Sequence, residues 1–422
     1  MIADAGTAGL VPFPPISPEA GAGGDAVLTM ERVVRTLIGP VKPFQPGQKL
    51  TTFASWFTTS DDDTLILVVR PGLAPKDVAT AVAHALAWQG ARELVLLLPE
   101  ATVPSMMARL VYVATPLRVW SVDDVLTPTS VPIPAIEDVV AAASGRPLRG
   151  EPEHDLGVFG AWVDDLVASA DRHWALAAAH RGSYRAWHCA GRQVLKLTRT
   201  GAGVLVQAGV QYQNPPAGRQ PYARTATAPL TEAERAEAEA AIAVAVADRL
   251  AGRDDTHVEH RMQAALKRTG LSELGLVKIE REYPAWRADK APGFIDFLGL
   301  DGAGQLHIVE TKIGTDEMLV FQVLDYLSWV TAHAPAIRAE LGWPAGDDSV
   351  VHIDFVVAPK TGARPEPALG SYTVSQLVAL RNDVPWRIHL IEDAHAGEPA
   401  IHSYRPREVP PSRPGIVEAP IC

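Results

Sequence analysis

The chain has 422 residues, 47% hydrophobic and 21% charged, a globular composition long enough for more than one core. Its net charge of −11, from 38 Lys and Arg against 49 Asp and Glu, argues against a surface coated in basic residues, though it leaves room for a local basic patch. No run approaches the about 18 apolar residues of a membrane span, and Cys189 and Cys422 are too few for a disulfide framework or a thiolate zinc site. A cytoplasmic chain without a membrane partner is expected, with any metal held through oxygen or histidine.

Residues 1–25, rich in Gly, Ala and Pro, read as a flexible leader. Residues 26–150 form an N-terminal α/β domain, in which TLILVVRPG, APKDVATAVAHALAWQG, ARELVLLLPE, PSMMARLVYVA and LRVWSVDD alternate strand with helix. Residues 151–230 form a β-rich middle domain that opens with a helix over FGAWVDDLVASADRHWALAAAH and continues in hairpins through YRAWHCAG, RQVLKLTRT and GVLVQAGVQYQ. A connector helix at 231–252 is announced by Thr231 and, three residues on, Glu234, a capping-box spacing. Residues 253–405 then read α-β-β-β-α-β-α-β, and 406–422 are a proline-broken extended tail.

Within that third domain, GFIDFLGL and LHIVETKI are apolar runs joined by a glycine-rich turn, yet they carry Asp296, Glu310 and Lys312. Glu310 and Lys312 are two residues apart and point to one side of their strand. Three ionisable groups in adjacent buried strands offset one another only by pairing or by binding a cation. The chemistry that uses this set is metal-assisted phosphodiester hydrolysis, with carboxylates as hard ligands for Mg²⁺ and a lysine facing the charge that develops. The competing interpretation is a structural ion-pair cluster.

Asp296 followed by Glu310-Thr311-Lys312 resembles the PD-(D/E)XK nuclease superfamily, the restriction-endonuclease-like α/β/α fold. Gly293 gives a G-x-x-D form, Gln322 and Tyr326 have a Q-x-x-x-Y spacing similar to RecB-type nucleases, and DGAGQLHIVETK resembles NucS-like nuclease domains. Ile295 stands where the proline of the motif's name would be. The resemblance covers about residues 253–395. It implies Mg²⁺ or Mn²⁺ held by Asp296, Glu310, Glu259 and Thr311, with Lys312, Gln322 and Tyr326 completing the catalytic set. Glu280 and Glu282 compete with Glu259 for its position, whereas His257 and His260 do not make a zinc pattern. The implied activity is a deoxyribonuclease of DNA repair or anti-phage defence; the alternative is a non-catalytic nucleic-acid-binding or assembly protein on an inactive nuclease fold. Homo-oligomerisation is compatible with either.

Residues 181–230 hold Arg181, Arg185, Arg192, Lys196, Arg199, Arg219 and Arg224 with no acidic residue, interleaved with Tyr184, Trp187, Tyr212 and Tyr222. Basic side chains neutralise phosphate and aromatic rings stack on bases, so Arg185, Trp187, Arg192, Lys196 and Arg199 are the candidate nucleic-acid surface. The alternative is a sheet partnered by acidic helices such as 231–250. Finally, setting Gly72 against Gly314 aligns TLILVVRPG with LHIVETKIG, placing Val68, Arg70 and Ala54 against Glu310, Lys312 and Asp296. The first domain is then either a degenerate copy of the third or an α/β unit that aligns as well as any other.

Overall fold

The computed structural model describes residues 24–44, 54–90, 92–124, 127–148, 159, 161–163, 165, 177–181, 184–209, 221–251, 258–270, 272–348, 350–362, 365–395 and 399–404. The fold is multidomain α/β with three sheets. It divides into two compact units, Met1–Ile136 with Val378–Arg381, and Glu137–Leu377 with Asn382–Cys422. Most of the expected leader and all of the tail fall outside the described residues.

The first unit contains α1 (Gly24–Ile38), β1 (Val41–Pro43), β2 (Ala54–Thr59), β3 (Thr64–Val69), α2 (Pro75–Trp88), β4 (Glu93–Pro99), α3 (Val103–Leu110), β5 (Leu117–Val122) and β6 (Pro128–Val131). These strands form one sheet in sequence order; β3, β4 and β5 run parallel, and the other neighbours are antiparallel. The continuous apolar run of β3 is buried at every position, as a central strand covered on both faces requires. Pro75 opens α2 in the first turn, where its missing N–H costs nothing. The helix α1 begins at Gly24, inside the segment expected to be a flexible leader.

The second unit receives most of α4 (Ile136–Ser144) and then an antiparallel sheet of β7 (Ala177–Arg181), β8 (Tyr184–Cys189), β9 (Arg192–Thr200), β10 (Gly203–Ala208) and β11 (Tyr222–Ala226). The expected helix through 159–180 is corrected at its end, where Ala177–Arg181 pairs with β8 as a strand. Alanine favours helix, and tertiary pairing overrides that weak preference. The connector helix α5 (Glu232–Leu250) starts with the expected capping box, Thr231 and Glu234 each bonding the other's backbone N–H. Its Ile242 and Val246 join Trp187, Leu195, Leu197 and Val206 in one core.

The third sheet follows α6 (Val258–Ala265) and a π-helical turn over Leu266–Gly270. It comprises β12 (Leu276–Trp286), β13 (Pro292–Asp301), β14 (Leu306–Ile313), β15 (Val351–Ala358), β16 (Trp386–Ile391) and β17 (Ile401–Tyr404), with α7 (Leu319–Glu340) between β14 and β15 and α8 (Ser371–Val378) between β15 and β16. The expected order is found, with β17 added at the edge. In the β13–β14 turn the Asp301 carboxylate accepts the N–H groups of Ala303 and Gln305 at 3.0 and 2.8 Å, and Gly304 supplies the positive φ.

The first and third sheets have one topology. Each contains helix, three strands, helix, strand, helix and two strands, with the same strand order and the same sequence of antiparallel and parallel pairs. The alignment of β3 with β14 therefore extends to the whole layer. Strand pairing shifts one assignment: Val68 lies opposite Ser55, so Ser55 rather than Ala54 takes the place of Asp296 if the β13–β14 register continues by one pair.

Candidate active site

Asp296, Glu310 and Lys312 lie near one another where β13 meets the C-terminal end of β14. That end of a parallel strand is where open α/β sheets place their ligands. Both the N–H and the hydroxyl of Thr311 donate to Asp296 Oδ2, at 2.9 and 2.6 Å. Only the Thr311 carbonyl is then left as an oxygen for a metal.

Glu310 Oε2 is buried and has no hydrogen-bond partner among the described residues. Burial, followed by the charge of Asp296, pushes Glu310 well above the usual carboxylate range, against the opposing pull of Lys312. Burial also raises Asp296, in spite of the two bonds from Thr311. These carboxylates are near enough to repel each other, and neither forms a direct ion pair among the described residues.

Lys312 is held elsewhere. Its Nζ lies 3.6 Å from Glu259 Oε2 and 3.3 Å from Asp316 Oδ2. Burial works to lower the lysine, and Glu259 and Asp316 overcome it, so Lys312 stays above its ordinary value and charged. Helix α6 therefore brings Glu259 to the site, where burial raises its carboxyl against the pull of Lys312. Asp316 was missed in the sequence because it lies in the β14–α7 connection, outside any motif. Its other oxygen accepts the Met318 N–H at 2.7 Å, and its carbonyl accepts the buried Thr373 hydroxyl at 2.9 Å, which fixes it toward Lys312.

Gln322 is half-buried on α7, one turn before Tyr326 and on the same face. Tyr326 is buried, and burial followed by the charge of Glu310 raises its phenol. A Cβ at Gly293 would sit 2.4 Å from Tyr326 Oη, which explains the glycine of the G-x-x-D form as close packing of β13 on α7. Of the rival glutamates, Glu282 approaches Asp296 closely enough to raise it and has a positive φ of 55°, whereas Glu280 pairs opposite Leu298. His260 lies on α6, and His257 is outside the described residues.

The residues fit a hard cation in a limited way. Among the described residues, no three His, Cys, Asp or Glu side chains gather as a ready-made cage. Mg²⁺ commonly takes one or two carboxylates and completes its shell with water. Glu310 Oε2 and Asp296 Oδ1, which accept no hydrogen bond among the described residues, meet that need, whereas Glu259 is engaged with Lys312.

The basic run of the middle sheet does not make one surface. Trp187 is 2% exposed within the core, so it has no face to offer a base, and Arg192 is likewise buried. Arg185 covers the Trp187 ring at 5.1 Å, Lys196 lies 3.9 Å over Tyr184, and Arg199 is exposed. Lys196 and Arg199 are three apart on one strand and face opposite sides. Arg224 pairs with Glu234 of α5, the acidic-helix partner weighed as the alternative. The side chain of Arg181 and the residues Tyr212 and Arg219 lie outside the description.

No family model matches the chain, and neither does any curated protein.

Proposed function

We propose that this chain is a metal-dependent nuclease that hydrolyses phosphodiester bonds of nucleic acid, with DNA the favoured substrate and DNA repair or defence against foreign DNA its setting. The observation that carries this reading is the partnerless buried oxygen of Glu310 beside Asp296. Burying a carboxylate oxygen with no donor is costly, and a cation offsets that cost directly. The sequence resemblance to PD-(D/E)XK nucleases points the same way.

Mg²⁺ or Mn²⁺ would supply Lewis acidity and a more acidic bound water. Asp296, Glu310 and the Thr311 carbonyl would hold the ion. Lys312, kept charged by Glu259 and Asp316, is suited to the negative charge that develops on phosphate. Gln322 and Tyr326 line the adjoining face of α7. On the middle sheet, Lys196 with Tyr184 remains the candidate contact for the nucleic-acid backbone.

A second reading, a binding protein on an inactive fold, is favoured by the pairing of Lys312 with Glu259 and Asp316, as in a structural ion-pair cluster. It leaves Glu310 Oε2 without a role. The test is incubation with labelled single- and double-stranded DNA and RNA in Mg²⁺, Mn²⁺ or EDTA. Cleavage that needs metal and is lost in Glu310→Ala supports the nuclease. Failure to cleave any substrate, together with absence of metal binding in calorimetry, overturns it.

A further inference from the structure

A buried chain of hydrogen bonds ends on Asp296, and its direction is set from Arg281. Arg281 donates through Nε and Nη2 to Gln263 Oε1, at 3.3 and 2.9 Å. A guanidinium has no acceptor, so the atom that faces it must be the amide oxygen of Gln263. This fixes an orientation that an isolated glutamine leaves ambiguous. Gln263 Nε2 then faces Thr311 Oγ1 at 2.8 Å and donates to it. The single proton of the Thr311 hydroxyl goes to Asp296 Oδ2 at 2.6 Å.

The members of this chain lie deep. Gln263 is 2% exposed, Thr311 1% and Arg281 8%. It also joins the elements of the site, since Gln263 sits four residues after Glu259 on α6, Arg281 is on β12, Thr311 on β14 and Asp296 on β13. A glutamate and a glutamine at that spacing share a helix face.

We infer that Gln263 is a positioning residue for the metal centre: by donating to the Thr311 hydroxyl it commits that proton to Oδ2 of Asp296, beside the bond from the Thr311 N–H, and leaves Oδ1 for a divalent cation. The inference rests on the proposed metal site and adds to it the group that orients a ligand. Partners behind a metal ligand commonly govern affinity by roughly tenfold to a hundredfold.

The discriminating variant is Gln263→Glu. A carboxylate still accepts from Arg281, so the fold keeps its buried pair, but it cannot donate to Thr311 and instead draws the hydroxyl proton away from Asp296. Mn²⁺ titration of the full-length protein by calorimetry should show weaker binding, by roughly tenfold or more. A purely electrostatic effect predicts the opposite sign, because a negative charge is added near a cation. As a second arm, Thr311→Val should lose affinity to a similar extent, while Thr311→Ser, which keeps the hydroxyl, should stay close to wild type. Gln263→Glu binding Mn²⁺ as tightly as wild type, or Thr311→Val matching Thr311→Ser, overturns the relay and leaves the metal site standing. A wild type that binds no Mn²⁺ overturns the metal site and the relay with it.

Discussion

At the scale of single residues, Glu310 costs stability in the metal-free protein. Burial and the neighbouring Asp296 raise its folded value above the 4.5 of an ordinary glutamate. In the unfolded chain the carboxyl ionises at that ordinary value, so between the two values unfolding releases a proton, and stability falls as pH rises through the window. Glu259 and Asp296 are shifted in the same direction and steepen the fall. Glu310→Gln keeps the shape and removes the charge. We expect the metal-free variant to melt above wild type once the pH exceeds the ordinary carboxylate range, by roughly 2–4 °C for each kcal/mol recovered, and to show a flatter pH profile. Thermal scans from pH 5 to 8 in EDTA check this; a variant that melts below wild type throughout would show that Glu310 is paired after all. Asp354 has the opposite sign. Burial would raise it, but hydrogen bonds from His307 and His389 hold it well below the usual carboxylate range. Its contribution is present above about pH 4 and is lost as pH falls through the folded value. Asp354 Oδ1 lies 2.8 Å from Arg387 Nε and 2.9 Å from His389 Nε2, on neighbouring buried strands. Asp354→Asn should therefore destabilise by about 3–5 kcal/mol at neutral pH, as when one partner of a buried pair is removed. Urea unfolding at pH 7 measures that loss, and a change under 1 kcal/mol would reduce the network to simple hydrogen bonding.

At the scale of elements, the contact of β13 with α7 makes its own prediction. Gly293→Ala drives a Cβ to 2.4 Å from Tyr326 Oη and 3.0 Å from its ring, so the strand or the helix must shift. Overpacking of this kind costs about 1–3 kcal/mol. Tyr326→Phe removes the nearest atom and should restore part of the loss in the double variant. Equal losses in Gly293→Ala with and without Tyr326→Phe would place the strain elsewhere, against Arg287 Cγ at 3.0 Å. This contact also shows why the site was partly legible from sequence. Asp296, Glu310 and Lys312 stood out because a charge in an otherwise buried strand needs a reason, and Gly293 stood out by its spacing from Asp296. Gln263, Asp316 and Arg281 were silent, because a polar residue on a short helix, in a connection or on an edge strand is ordinary until its partner is known. The middle sheet misled in the other direction. Its basic residues are contiguous in sequence, but strand alternation sends successive side chains to opposite faces and buries Trp187 and Arg192. The capping box at Thr231 was legible in full because both partners lie within one turn.

At the scale of the whole molecule, one sheet topology occurs twice and only one copy carries the acidic pair. In the first unit Val68 and Arg70 stand where Glu310 and Lys312 do, with Ser55 opposite Val68 in place of a carboxylate. A hard cation needs oxygen ligands, and a valine with an arginine gives it none. Metal binding should therefore have a stoichiometry of one per chain. A cation that binds the folded site and not the unfolded chain stabilises by mass action, about 2.7 kcal/mol at a hundredfold excess over its dissociation constant, and Mg²⁺ should do so if the proposed site holds it. That gain should belong to the unit that holds Asp296 and Glu310. Glu310→Ala should abolish both the calorimetric signal and the rise in melting temperature, whereas Arg70→Ala should leave both as in wild type. Two bound ions per chain, or a Mg²⁺-dependent shift that survives Glu310→Ala and is lost in Arg70→Ala, would move the metal to the first unit and overturn its status as the copy without a site.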